Sequence, residues 1–212
     1  MAKIYLIRHA QSMANEEGIY QGITYDTDLS LAGNKQAQLL GERFANIPIA
    51  QIISSPLRRT MQTAQFVAKR KKLPILEEKS IIETNHGAWE GKHKDIIQKT
   101  WPWIYKKWQR FPSATKFPDG ERFLETQNRV TAWWKIFSQN ALEDTLIVSH
   151  DNIIRVIVAK ILNMKLNKIW KFHLQPTAVT EVLITEGIVE LIKLGDSKHL
   201  GALEVDLSMH AL

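Results

Sequence analysis

Two histidines in this sequence stand where they could act together on a phosphorus atom. Arg8 and His9 end a short apolar run at the start of the chain, and His150 ends a second one, Thr145–Ser149. A neutral imidazole offers a nucleophilic nitrogen, while a guanidinium binds the non-bridging oxygens of phosphate. Ligands bind beyond the carboxyl ends of strands in open α/β sheets, so two such strands would bring both histidines to one edge. This pattern favours phosphoryl transfer.

An arginine pair and two glutamates could complete such a site. Arg58 and Arg59 begin a predicted helix directly after a short strand. Neighbouring helical residues point about 100° apart, so only one of the two is expected to face the strand ends. Glu83 and Glu90 are both candidates for the acid that protonates a departing oxygen, because a nearby phosphate raises the pKa of a carboxyl group. The residues alone leave both choices open.

Alternating strand and helix patterns must position these groups, and the alternation predicts an α/β fold. The predicted strands cover residues 3–7, 52–53, 145–149, 178–185 and 188–194. The predicted helices follow Ser30 and cover about 57–71, 121–142 and 152–162. The run Thr145–Ser149 is apolar throughout, which indicates a central strand covered by helices on both faces.

Residues 92 to about 141 interrupt this alternation and are predicted to form an inserted helical cap. Residues 92–117 contain seven Lys or Arg and one acid, interleaved with aromatic residues, while the whole chain has a net charge of +6. The cap therefore holds the chain's positive excess, which suits an anionic substrate. Basic and aromatic residues also alternate in nucleic-acid-binding grooves. No further signature of such a module is present, so we expect no nucleic-acid partner.

Composition excludes several other classes. The 212 residues include no cysteine, which rules out a disulfide scaffold, a thiolate zinc site, an iron–sulfur cluster and a cysteine nucleophile. No stretch approaches the ~18 apolar residues of a membrane span, and the N-terminus does not read as a signal peptide. We therefore expect a cytoplasmic protein with no membrane partner. The histidines without ligand-like clustering are interpreted as surface or structural residues: His86, His93, His173 and His210.

Four motifs together resemble the histidine phosphatase superfamily, the phosphoglycerate-mutase-like proteins. They are Arg8-His9-Ala10 with Asn15 downstream, Leu57-Arg58-Arg59-Thr60, Glu83 ahead of Trp89-Glu90-Gly91, and Ser149-His150 with Ile154-Arg155. The resemblance covers nearly the whole chain in the expected order. It implies a single histidine-phosphatase domain over residues 1–212, built as a three-layer α/β/α sandwich with a mostly parallel central sheet and the cap at about 92–141.

The resemblance also implies a role for each site residue. His9 attacks phosphorus and carries a phosphohistidine, and Glu83 protonates the departing oxygen and then activates water. The residues implied to bind the phosphate are Arg8, Arg59, His150, Asn15, Gln21 and Gly22. The expected activity is hydrolysis of a small phosphorylated metabolite, a phosphate monoester, without metal or cofactor. Because attack needs neutral His9 and departure needs protonated Glu83, a mildly acidic to neutral optimum is expected.

The sequence departs from the family pattern at two places, after the second histidine and around Glu83. Asp151 replaces a small residue after the second histidine; facing inward it would repel phosphate, so we expect it to point away. Phosphoglycerate mutases carry longer insertions and an extended Glu-Arg-His-Tyr-Gly motif, whereas this shorter chain has Glu83-Thr-Asn-His-Gly87. We therefore favour a phosphatase over a mutase. A catalytically inactive relative is disfavoured because every catalytic residue is present. The released alcohol and the oligomeric state are left open.

Overall fold

The computed structural model describes residues 1–207, and within them the chain forms a six-stranded sheet. Its strands are β1 (Ala2–Arg8), β2 (Gln51–Ser54), β3 (Ile75–Glu77), β4 (Thr145–Ser149), β5 (Val179–Thr185) and β6 (Ile188–Asp196). Their spatial order is β3-β2-β4-β1-β5-β6. The first four of these strands pair in parallel, and only the β1–β5 and β5–β6 pairings are antiparallel. The prediction of a mostly parallel sheet is confirmed.

Seven α-helices accompany the sheet in the described part of the chain. They are α1 (Met13–Glu16), α2 (Leu31–Arg43), α3 (Arg58–Lys71), α4 (Lys94–Thr100), α5 (Pro102–Arg110), α6 (Phe123–Asn140) and α7 (Asp151–Ile161). The predicted strands and helices end within two residues of the observed ones, whereas β3, α1, α4 and α5 were not predicted. None of the helices in residues 1–207 combines the length and apolar character needed to cross a membrane.

The two faces of the sheet pack against different helices. Successive side chains of a strand point to opposite faces. Along β1, Ile4 and Leu6 belong to one buried cluster together with residues of α6 and α7. Tyr5 and Ile7 belong to a second cluster together with residues of α2 and α3. The chain is therefore the three-layer α/β/α sandwich that the sequence predicts, with the carboxyl ends of β1, β2 and β4 at one edge.

The segment predicted as a cap contributes α4, α5 and α6. Trp108 on α5 is completely buried. Its ring centroid lies 5.0 Å from that of Phe117 and 4.8 Å from those of Phe123 and Trp170. This aromatic cluster fastens α5 to α6 and to the short 3₁₀ turn Leu166–Lys171. The boundaries of the cap, 92–141, stay a prediction.

Gly33 lets α2 approach the loop that follows His9. A Cβ atom at this position would lie 1.9 Å from the carbonyl oxygen of Gln11. We therefore expect Gly33→Ala to lower the free energy of unfolding by about 1–3 kcal/mol, the usual cost of overpacking. Urea denaturation measures it, with Lys35→Ala, exposed on the same helix, expected within about 0.5 kcal/mol of the wild type. An unchanged free energy of unfolding in Gly33→Ala would contradict the close approach.

Candidate active site

The two histidines lie side by side at the carboxyl ends of β1 and β4. These strands pair in parallel with Arg8 opposite Ser149. The backbone N–H of His9 donates to the Ser149 carbonyl oxygen at 2.9 Å. The ring centroids of His9 and His150 are 5.4 Å apart. The register of two adjacent strands thus brings together residues that are far apart in sequence.

A backbone contact fixes which nitrogen of His9 holds the proton. The Nδ1 atom lies 2.7 Å from the carbonyl oxygen of Ala10. A carbonyl oxygen can only accept, so Nδ1 carries the proton and donates it. In the neutral imidazole the lone pair is then on Nε2. The tautomer that this contact selects has Nε2 as its nucleophilic atom.

His150 is fully buried beside His9. Its Nε2 atom lies 2.7 Å from the Ser55 hydroxyl, which follows β2. Its Nδ1 atom has no hydrogen-bond partner in the described residues. Burial lowers the pKa of His150 well below its ordinary value, and the positive charge of Arg59 adds to the effect. His150 is therefore neutral at pH 7, and an anion bound next to it would favour its protonated form.

The structure separates the two arginines at the start of α3. The Arg59 side chain is 1% exposed, whereas that of Arg58 is 62% exposed and pairs with Asp28. Arg59 donates from one terminal nitrogen to Asp26 at 2.8 Å and from the other to the Gly22 carbonyl at 3.1 Å. Its Nε atom has no partner in the described residues. Arg59, which the resemblance singled out, is therefore the member of the pair that faces the strand ends.

Asn15 and Gln21 are held by one hydroxyl group. Ser12 caps α1, and its hydroxyl lies 3.0 Å from the Asn15 carboxamide oxygen. The Gln21 side chain donates to the same hydroxyl at 2.7 Å. Gly22 positions Arg59 through its carbonyl, and it has no room for a side chain, because a Cβ atom would lie 2.0 Å from Glu90 Oε1. All three residues follow β1 in the chain, and Asn15 and Gln21 line the cavity at its end.

A small cavity opens at these strand ends. Six of the eight predicted site residues line it: Arg8, His9, Asn15, Gln21, Arg59 and Glu83. The remaining two, His150 and Gly22, flank it through their contacts with His9 and Arg59. The structure therefore assembles the predicted set around one cavity.

Burial decides which glutamate is protonated near neutral pH. Glu83 lines the cavity and is 7% exposed. Burial raises the pKa of Glu83 to about 7, against the lowering effects of the Thr84 N–H and of Arg59. The Thr84 N–H donates to its carboxyl group at 2.8 Å. Glu83 can therefore hold a proton at neutral pH and release it to a leaving group.

Glu90 has a different task. Its carboxylate accepts from the backbone N–H groups of residues 23–25, from the Thr24 hydroxyl and from the His86 N–H. Burial acts to raise the pKa of Glu90, but the bonds from Thr24 and its neighbours outweigh it and lower that pKa. Glu90 thus stays ionised and holds the loop over residues 23–25. Of the two candidates that the sequence left open, Glu83 has the environment of an acid.

Comparison of the sequence with models of protein families shows which family the chain belongs to. A model of the histidine phosphatase superfamily (branch 1) matches residues 4–197. The chain belongs to the histidine phosphatase superfamily. This histidine phosphatase is 33% identical over 207 residues to phosphoserine phosphatase 1 of Hydrogenobacter thermophilus, covering 97% of this chain and 98% of the relative.

Other relatives carry different names. The histidine phosphatase is 27% identical to the adenosylcobalamin/alpha-ribazole phosphatase of Escherichia coli, covering 81% of this chain and 84% of the relative. It is 29% identical to a probable phosphoglycerate mutase of Citrobacter koseri, covering 97% and 98%. Among solved structures, YhfR of Bacillus stearothermophilus superimposes with a TM-score of 0.88 at 28% identity, covering 94% and 100%. The fold and family expected from the motifs are confirmed.

An arginine of α6 holds the backbone that leads to Glu83 in this histidine phosphatase, a contact that the sequence did not indicate. Arg129 donates to the carbonyl oxygens of Ser80 and Ile82 at 2.8 and 2.9 Å. It also lies 3.3 Å from the Glu121 carboxylate. The backbone leading to Glu83 is therefore held by a helix from the segment predicted as a cap.

Four further residues line the cavity of the histidine phosphatase: Tyr20, His86, Asp151 and Asn152. Of the two roles expected for His86, the surface one is excluded, because the residue is 4% exposed; its ring contacts the Gln21 carbonyl and forms part of the cavity wall. Its position three residues after Glu83 was the available signal. His93 instead caps α4, His173 is exposed, and His210 lies outside the described residues. No group of three metal-ligating side chains occurs within residues 1–207.

Asp151 differs from the expectation that it would point away from the site. It lines the cavity and is 2% exposed. Its carboxylate accepts from Arg155 at 2.5 Å and lies 3.5 Å from Arg8. Arg155 is itself buried and donates to the carbonyls of Ile169 and Phe172. Asp151 adds a negative charge that the family pattern does not have at this position, and the buried Arg155 side chain neutralises it.

Proposed function

We propose that this histidine phosphatase hydrolyses a small phosphate monoester through a phosphohistidine on His9. The observation that carries the proposal is the Nε2 lone pair of His9 in a cavity lined by two buried arginines, Arg8 and Arg59. Phosphoryl transfer needs chiefly a positioned nucleophile and positive charge around the equatorial oxygens. Relatives named for phosphoserine and alpha-ribazole support a phosphorylated metabolite as substrate.

Two balanced steps follow from this geometry. In the first, His9 Nε2 forms a bond to phosphorus as the bond to the alcohol oxygen breaks, and Glu83 gives its proton to that oxygen. In the second, the Glu83 carboxylate takes a proton from water, the water oxygen bonds to phosphorus, and the N–P bond breaks. Inorganic phosphate leaves and His9 regains its lone pair. Arginines supply the positive charge, so the proposed reaction uses no metal.

A phosphoglycerate mutase-type transfer is the second candidate. It is favoured by the similarity to proteins named probable phosphoglycerate mutases. Such an enzyme passes the phosphoryl group from histidine to a second substrate molecule rather than to water. The first step would be the same, and the activities would differ only in what attacks the phosphohistidine.

Phosphate release separates the two candidates. We expect the protein to release inorganic phosphate from at least one member of a panel that includes O-phosphoserine, alpha-ribazole phosphate and 3-phosphoglycerate. The rate should be the same with and without EDTA and without 2,3-bisphosphoglycerate. Release of phosphate from no member would contradict the phosphatase proposal. Interconversion of phosphoglycerates only after priming with bisphosphoglycerate would establish the mutase instead.

The absence of a nucleic-acid partner is also part of the proposal. Of the aromatic residues between 101 and 117, Trp108 and Phe117 are completely buried and belong to the core. Trp103 is 81% exposed, and the Lys106 ammonium lies 5.5 Å from the centroid of its ring. A stacking groove needs several accessible rings in a row. The buried rings of this segment favour packing as the reason for its aromatic content.

A further inference from the structure

Thr177 holds a backbone conformation that threonine rarely adopts. Its φ angle is +58°, in the left-handed region, and the residue is completely buried shortly before β5. This region is an outlier for a β-branched side chain, whereas glycine enters it without steric cost. Such a residue persists only where its surroundings hold it, and outliers of this kind cluster at active sites. Some contact of Thr177 must therefore hold it in this conformation.

The backbone of Thr177 contacts the end of β1. Its N–H donates to the Arg8 carbonyl oxygen at 3.0 Å, in the peptide that leads into His9. The Arg8 side chain in turn donates from Nη1 to the Leu174 carbonyl oxygen at 2.6 Å, and Arg8 lines the cavity. The segment from Leu174 to Thr177 therefore holds both the backbone and the guanidinium of an arginine that the proposed mechanism places on the phosphate.

His199 holds the side chain of Thr177. Its Nε2 atom lies 3.0 Å from the Thr177 hydroxyl, and its Nδ1 atom lies 3.2 Å from Arg43 Nη1. A guanidinium only donates, so Nδ1 accepts and Nε2 carries the proton that is donated to Thr177. Burial and the positive charge of Arg43 lower the pKa of His199 to about 4, so the imidazole is neutral at pH 7. His199 thus has one fixed tautomer, and that tautomer donates to Thr177.

Arg43 anchors His199 to the end of α2. It is the last residue of this helix. Its guanidinium donates to the Asp196 carboxylate at 2.8 Å and to the Asp196 carbonyl oxygen at 3.1 Å. A continuous chain of contacts therefore runs from α2 through the imidazole of His199 to Thr177 and Arg8.

We propose that His199 is a positioning residue of the active site: it holds Thr177 in the left-handed conformation, and Thr177 in turn holds Arg8 where the phosphate binds. His199 does not line the cavity, so it acts only through Thr177. The inference rests on the proposed phosphatase function, because that function places Arg8 on the equatorial oxygens. The site then depends on the φ angle at position 177 rather than on the bulk of the threonine side chain.

Two substitutions of Thr177 separate backbone conformation from packing. Thr177→Val keeps the volume and the branched Cβ but loses the hydroxyl that His199 holds, so the left-handed conformation loses its support. Thr177→Gly removes the side chain but enters that conformation freely. We expect Thr177→Val to lower kcat/KM about tenfold or more, and Thr177→Gly to stay within about threefold of the wild type. If packing were decisive, the order would be reversed, because glycine would leave a cavity in the core.

A loss at His199 should be rescued at Thr177. We expect His199→Ala to lower kcat/KM about tenfold, and the double variant with Thr177→Gly to return to within about threefold of the wild type. His199→Gln should also retain most of the rate, because its amide nitrogen can take the place of Nε2 and donate. His173→Ala is the matched control: this histidine is exposed, so its loss should leave kcat/KM unchanged.

The binding of inorganic phosphate reports on Arg8 without turnover. Its dissociation constant, measured by titration calorimetry, should rise about tenfold in His199→Ala and in Thr177→Val, and it should recover in the double variant. The losses in kcat/KM should be equal for alkyl and p-nitrophenyl phosphates, because Arg8 contacts the phosphate and not the leaving group.

The opposing outcomes are distinct. A Thr177→Gly protein that is less active than Thr177→Val, or a double variant no more active than His199→Ala, would overturn the positioning role. If His199→Ala does not fold, the two Thr177 variants decide. In each of these cases the wild type still releases phosphate, so the proposed function would stand. A wild type that releases no phosphate would overturn the proposed function, and the phosphate dissociation constants would still decide whether His199 positions Arg8.

Discussion

Replacing His9 with alanine is expected to lower kcat for phosphate release by at least about 10⁴-fold. The cavity would keep Arg8 and Arg59 and could still bind phosphate, but no atom would remain where the Nε2 lone pair lies. Two measurements check this: phosphate release from the best monoester, and trapping of the phosphoenzyme from a ³²P-labelled substrate. A phosphohistidine is stable in base and labile in acid, which distinguishes it from a phosphoserine.

His150→Ala is the matched control for this result. His150 lies 5.4 Å from His9, is equally enclosed, and can only assist the phosphate. Its loss should cost about 10²–10³ in kcat, the usual effect of one group that stabilises the transition state, and the variant should still become phosphorylated on His9. Phosphate release by His9→Ala within tenfold of the wild type, or a base-stable phosphoenzyme in that variant, would contradict the proposed mechanism.

The strand ends were the part of the site that could be predicted from sequence. His9 and His150 each follow an apolar run, and parallel strands present their carboxyl ends at one edge. Helical geometry allowed only one of Arg58 and Arg59 to face that edge. These inferences use local patterns and a general rule of sheet topology, and the structure agrees with them. The register that sets Arg8 opposite Ser149 required the fold itself.

The choice between Glu83 and Glu90 could not be made from the residues alone. Glu90 is tied to a loop more than sixty residues earlier, where three backbone N–H groups converge on its carboxylate. Glu83 lies in a buried segment whose backbone is held by Arg129, more than forty residues later. Burial and long-range hydrogen bonds decide a pKa, and neither leaves a trace in local spacing.

The chain has a positive net charge, but the arginines of the cavity lie next to carboxylates. The excess of +6 equals the surplus of residues 92–117, so the remainder of the chain is balanced. Within the cavity Arg59 pairs with Asp26, and Arg8 shares the Asp151 carboxylate with Arg155. Such pairs hold the guanidinium groups in place before the substrate binds, so little reorganisation is needed during the reaction. Phosphate affinity would therefore depend on geometry more than on total charge.

Glu83→Gln is expected to lower kcat/KM for alkyl phosphates by about 10³-fold, because the leaving alkoxide loses its proton donor. The loss should be much smaller for p-nitrophenyl phosphate, whose leaving group needs no proton. The pKa of Glu83 is raised to about 7, so the wild-type kcat/KM should fall as pH rises above 7 and the acid ionises. In Glu83→Gln this alkaline decline should disappear. Rate profiles from pH 5 to 9 with both substrates measure the effect.

Although Glu83→Gln is expected to lose activity, we expect it to be more stable than the wild type at high pH. The pKa of Glu83 is raised from its ordinary value of 4.5 to about 7 by burial, so the folded protein holds this proton more tightly than the unfolded chain. That contribution to wild-type stability is complete below pH 4.5 and is lost as pH rises through 7. Glutamine never ionises, so Glu83→Gln should be the more stable protein at pH 8, with the difference shrinking towards pH 5.

Glu90→Gln is the control. It should be less stable than the wild type at pH 8, because the ionised Glu90 carboxylate holds residues 23–25 in the wild type. A Glu83→Gln protein that is less stable than wild type at pH 8 would mean that Glu83 is ionised and paired, and would remove it as the acid.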